Sequence, residues 1–446
     1  MSDPFRSGAF EALTTEQSIT PCTLVAGALP PGFTGRYVRN GPNSPVAPAG
    51  PYVYPIDGDG MLHEVAFPGD GTVTYRRAFV RTPMLEAELA AGRALWGTVM
   101  MGLQPLPGSG ATGRKDIPDV NVLAFHGQLL ALAEQTCSYE VDPHSLATGM
   151  QFPFAGQFPR GATAHPKVDP TSGNLVVFSY GFAEPYLAWC ELASDGSVIT
   201  PHTAIAGLDY PAMIHDCAIT PRYLVIPVYP LVFDPLRTVT TDGPPLQWQP
   251  DRLTRIAVVE RATGRTTWLT THARWSWHTV NAVEGPSGIT LDVMSYDDFA
   301  MEDRLGALER LELNLENGNV TCAIAAERAG EFPRIDDRLV GQGYRTLASV
   351  SNAGAARYPG TFDTLVEIDA ATGADTRWTS SDSPLGEPVF IPAGEGYWGV
   401  LTAAPEGRAS HFLVFAAGEV SRGPIATVRL PSRVPAGLHG TWLATS

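Results

Sequence analysis

One recurring unit constrains this chain more than any other feature: a short apolar strand, a polar turn and a second strand. "YEVDPHSLATGMQF" (139–152), "IAVVERATGRTTWL" (256–269) and "LVEIDAATGADTRW" (365–378) are its clearest copies. Each has a Thr-Gly inside the turn, which suits a residue with positive φ after an Asp- or Glu-ended strand. "HPKVDPTSGNLVVFSY" (165–180) and "ELASDGSVITPHTAI" (191–205) are looser versions. The units run from about residue 120 to the end of the sequence, with no crossover helices between them. That pattern argues against a parallel α/β sheet and for a sandwich array or a β-propeller. The length of 446 residues favours the propeller, since seven blades of roughly 64 residues each leave room for four strands plus loops. The 45 glycines and 39 prolines suit many short strands joined by turns. The only convincing helical pattern is "TPMLEAELAAGRALWG" (82–97), which would put Leu85, Leu89 and Trp96 on one face.

Charge and cysteine usage narrow the function. The net charge of −16 makes the chain a poor candidate for binding a phosphate backbone, so no nucleic-acid partner is expected. Cys22, Cys137, Cys190, Cys217 and Cys322 form no C-x-x-C pair. They read as reduced thiols of a cytoplasmic protein, not as a disulfide framework or a zinc site. The N-terminal residues lack a basic start and apolar run, so no signal peptide is expected. No stretch approaches about 18 consecutive apolar residues. "GSGATG" (108–113) spells G-x-G-x-x-G, but it follows a proline-rich loop instead of a strand and reads as a chance match. The carboxylates and glycines of "DGDGMLH" (57–63) do not complete a calcium loop; they read as a tight turn, and His63 as structural.

The histidines carry the chemistry. Four of the ten stand in similar local surroundings, in "TAHPKVDP" (His165), "MIHDCAIT" (His215), "WSWHTVNA" (His278) and "GLHGTW" (His439). Each sits at the edge of an apolar strand, beside a small or turn-forming residue. Successive gaps are 50, 63 and 161 residues, and the first two are close to one blade. One histidine per blade would converge on a propeller's axis, where neutral imidazoles bind iron, zinc, copper or nickel. Spacing alone leaves open that these are four unrelated core histidines.

These four motifs, in this order, resemble the carotenoid cleavage oxygenase family. "GRYVRNGPN" (35–43) and "PIDGDGMLHEVAF" (55–67) are similar to its N-terminal signature, and "NVLAFHGQLLALAE" (121–134), "GEFPRIDDR" (330–338) and "GEPVFIP" (386–392) to three further blocks. The resemblance runs from Gly35 to Trp442. It implies an all-β, seven-bladed propeller formed as a single domain over 1–446, with a loop and short-helix cap over the top face. It implies one Fe(II) on the axis, held by His165, His215, His278 and His439. Glu134, Glu331 and Glu387 then match the carboxylates that orient the iron-binding imidazoles, since a carboxylate accepting the imidazole N–H fixes ring and tautomer. Asp216 reads as a further support for the His215 loop.

The implied chemistry is that of a non-haem iron dioxygenase cleaving a C=C bond into two carbonyl products, with dioxygen and an apolar alkene as its partners. An isomerase on the same iron site and a non-catalytic binding propeller are the alternatives from other classes. Substrate class turns on three positions. The family's Asn-Thr-Asn reads "DVN" here, with Val120 at the threonine. Relatives acting on phenolic stilbenes or phenylpropenes typically have a Tyr where "LWGTV" places Val99, and a Lys where "LAE" places Ala133. Both polar groups are replaced by apolar ones, which favours a carotenoid or apocarotenoid over a stilbene or phenylpropene. Lys115 lies nearby in sequence and could substitute for the lysine, but 18 residues separate it from Ala133. "LWGTVMMGLQPLPG" (95–108) and "VYPLVFDPL" (228–236) read as apolar patches for peripheral membrane contact by a monomer.

Overall fold

The computed structural model describes residues 4–50, 57–234, 237, 245–299, 305–354, 356, 358 and 360–444. They pack as two compact units, one of Met1–Phe152, Asn352–Leu365 and Arg377–Ser446, the other of Pro153–Ser351 and Val366–Thr376. Strands dominate both. Antiparallel meanders follow from the hairpin units: alternating side chains bury one face, and the polar turn reverses the chain.

In the first unit, the chain termini close one sheet. Its order is Gln17–Pro21, Thr74–Phe79, Asp59–Phe67, Gly35–Arg39, Gly440–Leu443. The last pair runs antiparallel from Arg36↔Leu443 to Arg39↔Gly440. Thr23–Gly27 likewise completes the sheet of the C-terminal strands Leu385–Ile391, Tyr397–Thr402, His411–Ala416 and Ala426–Arg429. A core of Tyr37, Phe67, Tyr75, Phe412 and Val414 fills the space between these two sheets. The third sheet of this unit is the four-stranded meander Asn121–Phe125 to Thr148–Phe152.

In the second unit, Lys167–Val168 to Val198–Ala204 and Ala218–Ile219 to Thr266–Thr271 form two four-stranded sheets. Val176, Phe178 and Trp189 of the first meet Leu224, Ile226 and Val259 of the second in one buried core. Each such side chain contributes about 1.5–3 kcal/mol on full burial. Trp275–Gly285, Gly288–Tyr296, Gly306–Asn314 and Val320–Arg334 form the next meander. The 15-residue strand Val320–Arg334 continues into a further run of Thr346–Ser351, Thr364–Asp369 and Asp375–Thr379. Counting that shared strand in two meanders, the sheets of four or more strands make seven meanders among the described residues. This is the count the expected seven-bladed propeller requires.

Several local expectations need correction. Gly264 and Gly373 take the positive φ of their turns (71° and 72°), but in the first copy Leu146 takes it (61°) and Gly149 lies in the strand Thr148–Phe152. The helix spans Pro83–Ala91, not 82–97, because Gly92 ends it in the left-handed conformation. Leu85 is buried, but Leu89 is 36 % exposed. Trp96 is buried in an extended segment that bridges to Pro105. In 228–234 the apolar residues are mostly core, with Val228, Tyr229 and Leu231 buried; in 95–108 Leu95, Trp96 and Leu103 are buried, while Met101 is 42 % exposed. Residues 235–236 lie outside the described residues. "GSGATG" is a loop, as expected. "DGDGMLH" is a turn only at its start, since Asp59 opens the strand Asp59–Phe67. His63 is structural: it is buried, and its Nδ1 is 2.8 Å from the Tyr75 hydroxyl. Burial, with Arg39 and Arg77 nearby, pushes its pKa well below the usual range, so it stays neutral.

Candidate metal centre

Three of the histidines come from the second unit, each from the start of a sheet. His165 immediately precedes Lys167–Val168, His215 precedes Ala218–Ile219, and His278 lies early in Trp275–Gly285. The Nε2 atoms of His165 and His215 are 3.1 Å apart. Their rings lie 5.3 Å and 5.1 Å from that of His278. His165 and His278 are buried, and His215 is partly buried. In the first unit, His439 is buried just before Gly440–Leu443, where its backbone N–H donates to the Val120 carbonyl. Ligating nitrogens of His165, His215 and His278 lie within 4.8 Å of one another.

Glu331 and Glu387 each touch an imidazole. The Glu331 Oε2 atom lies 2.5 Å from His278 Nδ1. Glu331 is itself held, accepting from the Tyr296 hydroxyl (2.9 Å) and the Phe332 amide (2.7 Å). The strand bends to put it there. Gly330 has φ 100° and Phe332 φ 53°, and a Cβ on Gly330 would come 2.1 Å from the Val350 carbonyl oxygen, so only glycine fits. Glu387 Oε1 is 2.9 Å from His439 Nδ1, and its Oε2 accepts from the Gly440 amide at 2.8 Å. Both imidazoles therefore donate from Nδ1, which leaves Nε2 unprotonated and able to ligate. Glu134 is partly buried in the turn after Gln128–Leu132, directly behind the buried Ala133.

Asp216 does more than support its own loop. Its Oδ1 accepts from the Cys217 amide (2.7 Å) and pairs with Lys167 Nζ (2.7 Å). Its Oδ2 accepts from the amide and the hydroxyl of Thr279 (2.9 and 2.8 Å). One carboxylate thus ties together the residue two after His165, the residue two after His215 and the residue one after His278. Burial by itself would raise its pKa, but Lys167 and the other partners hold it below the usual carboxylate range. Lys167 and Thr279 stand inside the quoted histidine motifs, yet nothing local marks them as partners of Asp216.

The donor set suits a metal. With metal–nitrogen bonds of about 2.0–2.1 Å, two ligands at a right angle have nitrogens roughly 3 Å apart, matching the His165–His215 separation of 3.1 Å. Cys217 lies close, its Sγ 3.7 Å from the His165 carbonyl oxygen, but burial raises its thiol far above neutrality and keeps it protonated. The surroundings are aromatic. Trp277 meets His215 edge-on at 5.1 Å, Trp275 and Phe299 pack behind it, and Phe332 lies 5.4 Å from His278. Sequence reasoning passed over Trp277 and Phe332, although both adjoin a named site residue.

The substrate-class positions all belong to the first unit. Val99 is partly buried, with its amide donating to Asp57 Oδ1 at 2.7 Å; Val120 and Ala133 are buried. Lys115 is engaged elsewhere, in a buried cluster with Asp59 (2.9 Å) and Glu88 (2.7 Å). Next to Val120, Asp119 is fully buried, and neither carboxyl oxygen has a hydrogen-bond partner among the described residues. Burial, then the nearby Asp57, Asp59 and Glu134, raise its pKa well above the carboxylate range. The folded protein therefore holds a proton that the unfolded chain releases above about pH 3.9. That proton stabilises the fold fully only below this value, and the contribution is lost as pH rises toward the folded pKa. Asp119→Asn keeps the shape and removes the titration. The variant is expected to melt above wild type at pH 7–8, with the gap closing toward pH 4. Thermal melts across that range check it; parallel profiles for the two proteins would contradict the assignment.

Comparison with known proteins gives one consistent picture. The family model described as retinal pigment epithelial membrane protein matches residues 10–444. A protein of Mycobacterium tuberculosis named carotenoid cleavage oxygenase is 30 % identical, covering 100 % of this chain and 98 % of its own length. Among solved structures, the lignostilbene dioxygenase of Pseudomonas brassicacearum superposes with a TM-score of 0.88 at 28 % identity, over 100 % of this chain and 99 % of that one. A variant of the Synechocystis apocarotenoid oxygenase, "ACO", superposes at 0.87 and 26 %, over 99 % of each chain.

Proposed function

The chain belongs to the retinal pigment epithelial membrane protein family, that of the carotenoid cleavage oxygenases, and on that footing we propose that it is an Fe(II)-dependent dioxygenase that splits a C=C bond of a carotenoid or apocarotenoid into two carbonyl compounds. Residues 1–446 act in this reading as one catalytic domain. His165, His215, His278 and His439 hold the iron, and Glu134, Glu331 and Glu387 orient its imidazoles. The observation that carries the reading is an all-imidazole donor set walled by Trp277 and Phe332.

When bound, the iron supplies the activation of dioxygen toward an electron-rich alkene. The chain supplies the rest. Glu331 and Glu387 keep the Nδ1 protons of His278 and His439 in place, which leaves each Nε2 as a ligand. Asp216 holds the three neighbouring backbone segments in register. The aromatic wall keeps water from the reacting alkene and offers a polyene flat faces to lie against.

Val99 and Ala133 support the polyene over a phenolic alkene. A site built to bond a phenol needs polar groups there, while each buried CH₂-sized unit of a polyene contributes roughly 0.8 kcal/mol. Lys115 supports the same choice, because Asp59 and Glu88 already hold its ammonium. Iron-loaded enzyme is offered an apocarotenal and resveratrol, a 4-hydroxystilbene, with oxygen uptake recorded. The expected result is a higher kcat/KM for the apocarotenal with oxygen consumed. Cleavage of the stilbene with no turnover of any polyene overturns the substrate class; polyene isomerisation without oxygen uptake overturns the reaction.

Dioxygen and an apolar alkene are the reaction partners. No helix among the described residues is long and apolar enough to cross a membrane. The proposal further places the protein as a cytoplasmic monomer that touches membranes peripherally. Leu231 is too buried to serve that contact; Phe182, 60 % exposed and packed on Phe233, replaces it. Phe182→Asp is expected to reduce liposome co-sedimentation, and no sedimentation of wild type removes the idea.

A further inference from the structure

A second group of ligating side chains converges among the described residues: His272, Glu309 and Cys322, with one ligand atom from each within 4.8 Å of the others. His272 directly follows the strand Thr266–Thr271, Glu309 lies in Gly306–Asn314, and Cys322 in Val320–Arg334. The first strand belongs to one sheet of the second unit and the other two to the next sheet. The three side chains line a small cavity of about 10 Å³ together with Thr271, Arg274 and Tyr229.

Two features mark this cavity as more than a packing fault. The Glu309 side chain is only 4 % exposed, yet its carboxylate accepts no hydrogen bond among the described residues. Its nearest opposite groups are His272 Nε2 at 3.7 Å and Arg274 Nε at 4.0 Å. A buried carboxylate so placed is costly unless a counter-charge is close. The second feature is the set of donors turned toward one another. Thr271 Oγ1 lies 3.2 Å from Cys322 Sγ and 3.3 Å from His272 Nδ1. Arg274 Nε donates to His272 Nε2 at 2.9 Å, so that nitrogen presents a lone pair.

We propose that His272, Glu309 and Cys322 form a second metal site, for a divalent cation of the zinc type, which staples two adjacent sheets of the second unit. Thiolate, carboxylate and neutral imidazole are zinc's ordinary ligands, and three of them leave a fourth position for water. Thiolate and carboxylate together balance the 2+ charge. On binding, the Cys322 thiol loses its proton to solvent and its sulfur bonds the metal; no electrons are transferred. Arg274 gives up His272 and keeps Asp297, an exposed partner it already holds.

The test titrates iron-loaded protein with Co²⁺, which occupies zinc sites and reports their ligands. A thiolate ligand produces a near-ultraviolet charge-transfer band; an all-imidazole site does not. One equivalent of this band is expected in wild type and is lost in Cys322→Ser and His272→Ala. No band in wild type, or a band that survives in Cys322→Ser, overturns the site. Wild type alone gives a second readout should the variants fold poorly. Added Zn²⁺ is expected to raise its Tm and to protect Cys322 from alkylation, mapped by mass spectrometry. Equal alkylation with and without Zn²⁺ rules the site out.

Discussion

Replacing any one of His165, His215, His278 or His439 by Ala is expected to yield a folded protein with little bound iron and no measurable alkene cleavage. The four imidazoles are the whole proposed ligand set, so one loss removes a quarter of the coordination and leaves no neighbour to substitute. Cys217, the nearest thiol, is held protonated by burial. The orienting carboxylates should be gentler. Glu331→Gln keeps the shape but weakens the hold on His278 Nδ1, and such losses typically cost about 10–100-fold in affinity or activity. Iron content by elemental analysis and oxygen uptake measure both series. Stoichiometric zinc in wild type, with no activity after iron reconstitution, would refute the iron assignment. A Glu134, Glu331 and Glu387 triple alanine variant with full iron would refute the orienting role.

Asp216→Ala should be the most destabilising single change near the centre. It leaves Lys167 without its carboxylate and strands the Cys217 and Thr279 donors that Asp216 now satisfies. Breaking a buried pair by removing one partner costs about 3–5 kcal/mol. The lower end applies, because the Lys167 side chain keeps 23 % of its surface exposed. Asp216→Asn is the sharper test, since an amide offers one acceptor where four donors converge. The midpoint of urea unfolding and the iron content are both expected to fall. An Asn variant within about 0.5 kcal/mol of wild type, the range of an ordinary surface change, and with full iron would show that Asp216 is not the tie between the three histidine segments.

How much was legible in advance depends on the range of the physics involved. Hairpin units such as 256–269 reveal themselves locally, because an alternating strand and a glycine turn answer to neighbours a few residues away. The four histidine motifs were legible too, and so were Glu331 and Glu387, through family resemblance. The helix was placed rightly, but its end was not. Gly92 stops it, and buried Glu88 caps the following segment by accepting from the Leu95 and Trp96 amides.

Other features had no local trace. The stretch at 228–234 has the composition of an exposed patch as much as of a core strand, and only its partners decide: Tyr229, Leu231 and Trp275 bury one another. Nothing near Lys115 in sequence marks its partners, Asp59 and Glu88, which lie 56 and 27 residues away. Asp216 read as a loop support, while its reach to Lys167 and Thr279 spans 49 and 63 residues. The sequence by itself therefore determined most of the strands and turns, which follow from residue chemistry and short-range periodicity, and offered the candidate ligating side chains through family resemblance. The tertiary structure alone decided which carboxylate meets which cation or imidazole, because burial strengthens only those charges that folding brings within a few ångströms, whatever their separation along the chain.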